Sequence, residues 1–238
     1  MTTDLFKLRA FAFASELERE IGIPPGFLAR LPEQDDWSFV VKLHALIEAA
    51  ATHLLVAKLD YPELAEVLSN MELSNRKTGK LAFIKALELV DSDCRAWVQK
   101  LSELRNLLVH DVRNAGVALV DALSLTRPNA KAFRDAFQWG FVDVSKVPVK
   151  ISKTRYDLEA LMKAACVITY PYAPKLAIWF GSLLVLRRMY GAALTSRLKR
   201  QLQSVALVLV DALLAKKPRP KRRRGGRSKQ RAQPMGQA

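Results

Sequence analysis

The chain has 238 residues, half of them apolar, with ten glycines, two cysteines and a formal net charge of +15. That length supports one large domain with a sizeable core, and two isolated cysteines, Cys94 and Cys166, exclude a disulfide scaffold and a cysteine-built zinc site. Few glycines and a predominance of Ala and Leu favour helices over a barrel or sandwich, so an all-α fold is expected.

In chain order, Asp4–Ile21 places Leu5, Leu8, Phe11, Leu17 and Ile21 at helical spacing. The start, Met1-Thr2-Thr3-Asp4, lacks a basic lead. The short apolar stretch from Phe11 runs into Glu16, Glu18 and Glu20, so no secretory signal is read and the cytoplasm is the expected compartment. Gly22, Pro24, Pro25 and Gly26 break this helix, and Asp35 and Asp36 offer N-cap chemistry to the next. That next helix, Trp37–Leu59, is apolar almost all round, which predicts a central position. Tyr61-Pro62 restarts the chain into a short helix to about Met71, and a polar link, Ser74–Gly79, leads to a helix over Leu81–Leu89. Asp91 or Ser92 caps a helix from about Asp93 to Arg113. Short helices are expected over Val117–Leu125 and Ala130–Gln138, and a small hairpin or extended loop over Phe141–Ile151. Asp157–Thr169, Pro174–Tyr190 and Ala192–Ala215 read as three further helices. The most lipid-like run, Leu176–Leu186, has eleven residues between Lys175 and Arg187, too few against the roughly 20 that span a bilayer; a buried helix and no membrane are expected.

The helix from Asp93 carries the chemistry. At about 100° per residue, Trp97, Leu101, Leu104, Leu108 and Val112 form one apolar stripe, and Asn106 and His110 share a face nearly opposite it. Arg105 lies at the stripe's edge, about 140° from His110, so on one straight helix the two do not converge. A joint site needs a distorted helix, a long arginine reach, or a second copy across a two-fold axis.

The sequence Arg105-Asn106-Leu107-Leu108-Val109-His110 resembles the Arg-Asn-x-x-x-His signature of the HEPN superfamily. The stretches Asn75-Arg76-Lys77-Thr78-Gly79-Lys80-Leu81-Ala82-Phe83, Leu87-Glu88-Leu89 and Leu101-Ser102-Glu103-Leu104 are similar to its mannitol-repressor-like branch. The resemblance covers roughly Trp37–His110, with weaker support over Asp157–Thr169. It implies a helical bundle that dimerises through the motif face. It further implies RNA binding in a prokaryotic defence, toxin or regulatory setting, with a cognate antitoxin or regulator as a further partner. In catalytic members the implied activity is metal-independent RNA cleavage. His110 would exchange a proton with the ribose 2′-hydroxyl, Arg105 would hold the scissile phosphate, and Asn106 would orient His110 or a phosphate oxygen. A 2′,3′-cyclic phosphate and a 5′-hydroxyl would result. The alternative is a non-catalytic regulator or adaptor that dimerises through this face and holds nucleic acid with its tail.

Elsewhere, His44 and His53 lie about 180° apart on their helix and cannot share a site, while His44 stands four residues before Glu48 and can pair with it. No HExxH, Walker loop, GxGxxG or GxSxG is present, so neither a metal nor a cofactor is expected. Phe133 and Phe137, four apart, read as core residues. The segment beyond Ala215 holds ten basic residues and no acid: Lys216, Lys217, Arg219, Lys221, Arg222, Arg223, Arg224, Arg227, Lys229 and Arg231. The rest of the chain holds 28 basic against 23 acidic residues. The basic segment is expected to be disordered and to bind RNA or another nucleic acid through counterion release; an anionic membrane surface is the weaker alternative, because the tail lacks the aromatic and Leu residues of an inserting amphipathic helix. The expected organisation is an N-terminal helix and linker (1–36), a HEPN-like helical domain with a C-terminal helical extension (37–215) and the basic tail (216–238).

Overall fold

A computed structural model describes residues 2–110, 112–125, 130–139 and 158–215. The described residues are predominantly helical and contain no strand. The helices are α1 (Thr2–Ile21), α2 (Phe27–Arg30), α3 (Asp36–Leu59), α4 (Ala65–Ser69), α5 (Lys80–Ala86), α6 (Ser92–Val109), α7 (Leu119–Leu125), α8 (Ala130–Phe137), α9 (Leu158–Thr169) and α10 (Pro174–Ala215). Cα packing divides the chain into two units, Met1–Leu198 and Lys199–Ala238.

In the first unit, α3 packs against α4, α5 and α6, and α6 in turn packs against α7 and α8. Nine α3 side chains, among them Phe39, Leu43, Ile47, Leu54 and Leu55, are buried. By length and hydropathy α3 is long and apolar enough to cross a membrane, but those side chains lie within the hydrophobic core. Its N-terminus is fixed as the sequence suggests: Asp35 Oδ1 accepts from Ser38 N at 2.9 Å, and hydrogen bonding from the Ser38 side chain first, then from its backbone, holds the Asp35 carboxyl below its usual range. Asp36 reaches further. Its Oδ2 accepts from Leu119 N at 2.7 Å, and its Oδ1 pairs with Lys175 Nζ at 2.9 Å, joining the starts of α3, α7 and α10.

The α1–α2 corner turns on Glu18, a buried carboxylate that accepts from Gly26 N (2.6 Å) and Leu28 N (2.7 Å). Such bonds supply partners for N–H groups that the start of a short helix leaves free. The α10 segment Ala177–Leu186 is buried, and Trp179 Nε1 donates to Leu28 O at 2.8 Å.

Gly181 sets how closely α10 approaches α6. A Cβ there would stand 2.9 Å from Trp97 Cε2, closer still to Trp97 Nε1, and 3.3 Å from Trp139 Nε1. Trp97 and Trp139 are both buried, and among the described residues the Trp97 indole N–H has no hydrogen-bond partner.

Several boundaries differ from those read in the sequence. α6 ends at Val109, not Arg113: Asn114 Nδ2 donates to Leu107 O at 2.7 Å, and Val112–Gly116 continue as a 3-10 turn. Asn114 supplies a donor to a carbonyl in the last turn, where intrahelical partners run out. The two helices expected around Gly191 are one, α10, because nothing lies within 4 Å of the position a Cβ would take there and one glycine costs a helix only about 1 kcal/mol. Tyr61–Met71 resolves into a 3-10 turn, Pro62–Leu64, followed by the five-residue α4. The hairpin or loop expected over Phe141–Ile151 and the tail with its ten basic residues lie outside the described residues.

Two substitutions test this packing. Gly181→Ala improves helix propensity yet drives a methyl into the Trp97 indole, so a net loss of about 1–3 kcal/mol is expected in urea unfolding. Leu104→Ala empties a fully buried site and is expected to cost roughly 2–5 kcal/mol in the same measurement.

Candidate functional site

Helix α6 starts with the cap that its sequence offers, Cys94 N donating to Asp91 Oδ1 at 2.8 Å. Its apolar stripe of Trp97, Leu101, Leu104 and Leu108 is buried. That burial rotates the motif residues to the helix's other side. Arg105 and Asn106 are half-buried, and His110 is exposed at the C-cap, where its backbone N–H donates to Asn106 O at 3.1 Å.

Arg105 and Asn106 are brought together: Arg105 Nη1 donates to Asn106 Oδ1 at 3.1 Å. The long arginine side chain folds over to its sequence neighbour, across the roughly 100° that separates adjacent Cβ directions on a helix. Arg105 and His110 are not brought together, and the side chain of Asn106 serves Arg105. Among the described residues no carboxylate pairs with the Arg105 guanidinium. One amide oxygen engages a single donor of five and fixes the fork's direction, leaving donors for an anion.

Beside Arg105 the structure assembles a polar cluster that the sequence only partly shows. His44 on α3 donates from Nε2 toward Ser102 Oγ on α6 at 3.2 Å, and its Nδ1 stands 3.9 Å from Glu48 Oε2. The Glu48 Oε1 accepts from Lys80 Nζ at 2.9 Å, and Lys80 also donates to Ser69 O at 3.2 Å. Lys80 is fully buried, while the Glu48 side chain keeps 32% of its exposure. The i, i+4 pairing of His44 with Glu48 was legible; Lys80 and Ser102, 32 and 58 residues from their partners, were not.

Ser102, His44 and Glu48 thus have the connectivity of a nucleophile–base–acid relay. Access defeats that role: Ser102 is buried, and its hydroxyl donates to Val98 O at 3.1 Å. With that proton committed, Ser102 Oγ accepts from His44, which assigns the neutral His44 proton to Nε2. The cluster is a clamp between α3, α5 and α6. Burial lowers the His44 pKa below 6.5, Arg105 and Lys80 lower it further, and Glu48 opposes them. Arg105 therefore stands close enough to act on His44 electrostatically.

Other chemistry is restricted. Cys94 and Cys166 are buried, and burial pushes the Cys94 thiol up to about 12, far from a reactive thiolate. Among the described residues no three His, Cys, Asp or Glu side chains gather where a metal could sit. His53 stacks on Tyr190 with ring centroids 5.0 Å apart, and its Nε2 lies 3.4 Å from Arg197 Nη2. Phe133 and Phe137 are core residues, as read. The loop before α5 is built on Asn75, whose Oδ1 accepts from Lys77 N and Thr78 N. At Gly79 a Cβ would meet the Asn75 backbone N and O, each at 2.6 Å, which explains a glycine there. This loop borders an open groove of about 470 Å³ lined by Met71, Glu72 and Phe83. The ten basic tail positions lie outside the described residues, so their placement does not enter the site.

The clamp yields two expectations. Glu48→Ala leaves the buried Lys80 ammonium with only a backbone carbonyl, whereas Lys80→Met leaves Glu48 with access to water. The first is expected to destabilise more in urea unfolding, toward the roughly 3–5 kcal/mol of a broken buried pair. His44 and His53 both have folded pKa values below 6.5. The unfolded chain then takes up these protons first, so stability falls as pH drops through 6.5 and levels off below the folded values. Between pH 7.5 and 5.5 the thermal midpoint of His44→Gln/His53→Gln should fall less than that of the unaltered protein. Comparison of the chain with family models, curated proteins and solved structures finds no match.

Proposed function

We propose that this chain is a HEPN-like RNA-binding protein that takes an RNA phosphate at Arg105. The carrying observation is the half-buried Arg105 guanidinium, fixed by Asn106 and without a carboxylate partner among the described residues. A preoriented guanidinium with free donors suits the bidentate geometry of a phosphate. Exposed His110 caps the same helix five residues on, and the exposed Arg113 lies in the 3-10 turn after it. The basic segment 216–238 adds ten positive charges of sequence-independent affinity. On this reading the protein acts as a regulator or adaptor in a prokaryotic defence, toxin or regulatory system, with a second copy and a cognate regulator as protein partners.

The exposed imidazole of His110 favours a second reading, metal-independent endoribonuclease. His110 would take the 2′-hydroxyl proton, the 2′ oxygen would attack phosphorus, and the bond from phosphorus to the 5′ oxygen would break with that oxygen taking a proton from water. Because Arg105 and His110 of one copy are not joined, the pair would be completed across a homodimer, each arginine working with the partner copy's histidine.

Both readings are tested with mixed RNA in chelator. Arg105→Ala is expected to weaken binding by about tenfold, in line with the loss of one charge-assisted contact. A chain ending at Ala215 should show a flatter dependence of binding on salt, since each lost phosphate contact removes about 0.7 from the logarithmic slope on single strands. Retention by Arg105→Ala equal to that of the unaltered protein would remove the phosphate assignment. Cleavage by the unaltered protein that His110→Ala loses by about 10²–10⁴, with its thermal midpoint unchanged, would establish the enzyme. Binding without cleavage would establish the adaptor.

A further inference from the structure

The second unit carries a feature that RNA binding does not use. On α10, Leu202, Val205, Leu207, Val208, Leu209 and Val210 are all exposed, each by at least half of its surface. At about 100° per residue, Leu202, Val205 and Leu209 fall within about 60° of one another, whereas Leu207 and Val210 point to the other side. Six consecutive apolar residues, Val205–Val210, cover every side of the helix over nearly two turns, with polar Ser204 and Asp211 only at the ends of this run. A helix apolar on every side belongs in an apolar medium.

Its flanks narrow the choice of medium. Lys199 and Arg200 precede the stretch, and within it Asp211 is the one acid. After Ala215 come ten Lys and Arg residues in sixteen positions, from Lys216 to Arg231, with no acid. A nucleic acid would engage the cations and leave the valines and leucines in water. A second copy would cover the apolar residues but itself offers no anion to the ten cations beside them. An anionic bilayer meets both, with acyl chains for the helix and headgroups for the basic block. The helix from Leu202 to Ala215 is about 21 Å long, short of the roughly 30 Å hydrocarbon core, so it suits one leaflet and not a span.

We propose that residues 202–215 insert into one leaflet of an anionic phospholipid membrane, with the basic block 216–231 on the headgroups. Sequence reading set the membrane aside because the tail lacks apolar residues of its own. The structure carries α10 without a break to Ala215 and exposes those residues directly before the tail. This inference is independent of the phosphate site on α6.

The test is sedimentation of the full chain with two kinds of vesicle: phosphatidylcholine alone, and equal parts phosphatidylcholine and phosphatidylglycerol. The chain is expected to pellet with the mixed vesicles and not with phosphatidylcholine alone. The triple substitution Leu202→Gln/Val205→Gln/Leu209→Gln is expected to lower partitioning by about tenfold or more, with helix content by circular dichroism unchanged. RNA retention, measured on the same samples, should not change. Equal partitioning of the triple variant and the unaltered chain would mean that charge alone acts, and insertion would be overturned. A chain that ignores both vesicles and forms a dimer that the triple variant dissociates would show a second copy covering the face, and would also overturn it.

Discussion

The first unit depends on the need to surround α3. A helix of 24 residues with buried side chains on several faces cannot be covered by one neighbour, so α4, α5 and α6 take different sides of it. This solvation constraint fixes the rest. It gives α6 one face for packing and commits its apolar stripe there, which leaves Arg105, Asn106 and His110 on the remaining surface. The candidate site is thus a by-product of where the core is: the motif faces outward because Trp97, Leu101, Leu104 and Leu108 face inward.

Polar groups then hold the layers in register at a few positions. Lys80, Glu48, His44 and Ser102 join three helices through hydrogen bonds inside a mostly apolar contact, where sliding would strand a charge. Asp36 does comparable work two to three turns away at the N-terminus of α3, serving a backbone N–H and an ammonium. Arg105 borders the first group without belonging to it. Its bond to Asn106 sets the direction of the guanidinium, and its field bears on His44.

Local patterns were the legible part of the sequence. The caps at Asp35 and Asp91, the central place of α3 and the buried stripe of α6 follow from side-chain chemistry and periodicity within one element. The pairing of His44 with Glu48 is of the same kind, one helical turn apart. What escaped depends on distance along the chain or on side-chain reach. Lys80 reads as an ordinary surface cation until α5 folds it against Glu48. Arg105 and Asn106 diverge on a helical wheel, which ignores the length of an arginine. Gly191 looked like a break, although an unobstructed glycine within a long helix is a small penalty. The end of α6 was set by Asn114, whose side chain reaches back to Leu107 from beyond the helix.

The contacts of α10 also bear on how the chain reaches its fold. Trp179 bonds to Leu28 across 151 residues and Lys175 to Gln34 across 141, while Leu119 meets Asp36 across 83. Contacts of such separation close large loops, and that entropy must be met before they contribute. During synthesis, α1 to α6 leave the ribosome before the helix that covers them exists. The nascent amino-terminal half must therefore wait with the α10-facing side of its core open, a period in which a chaperone has an apolar surface to hold.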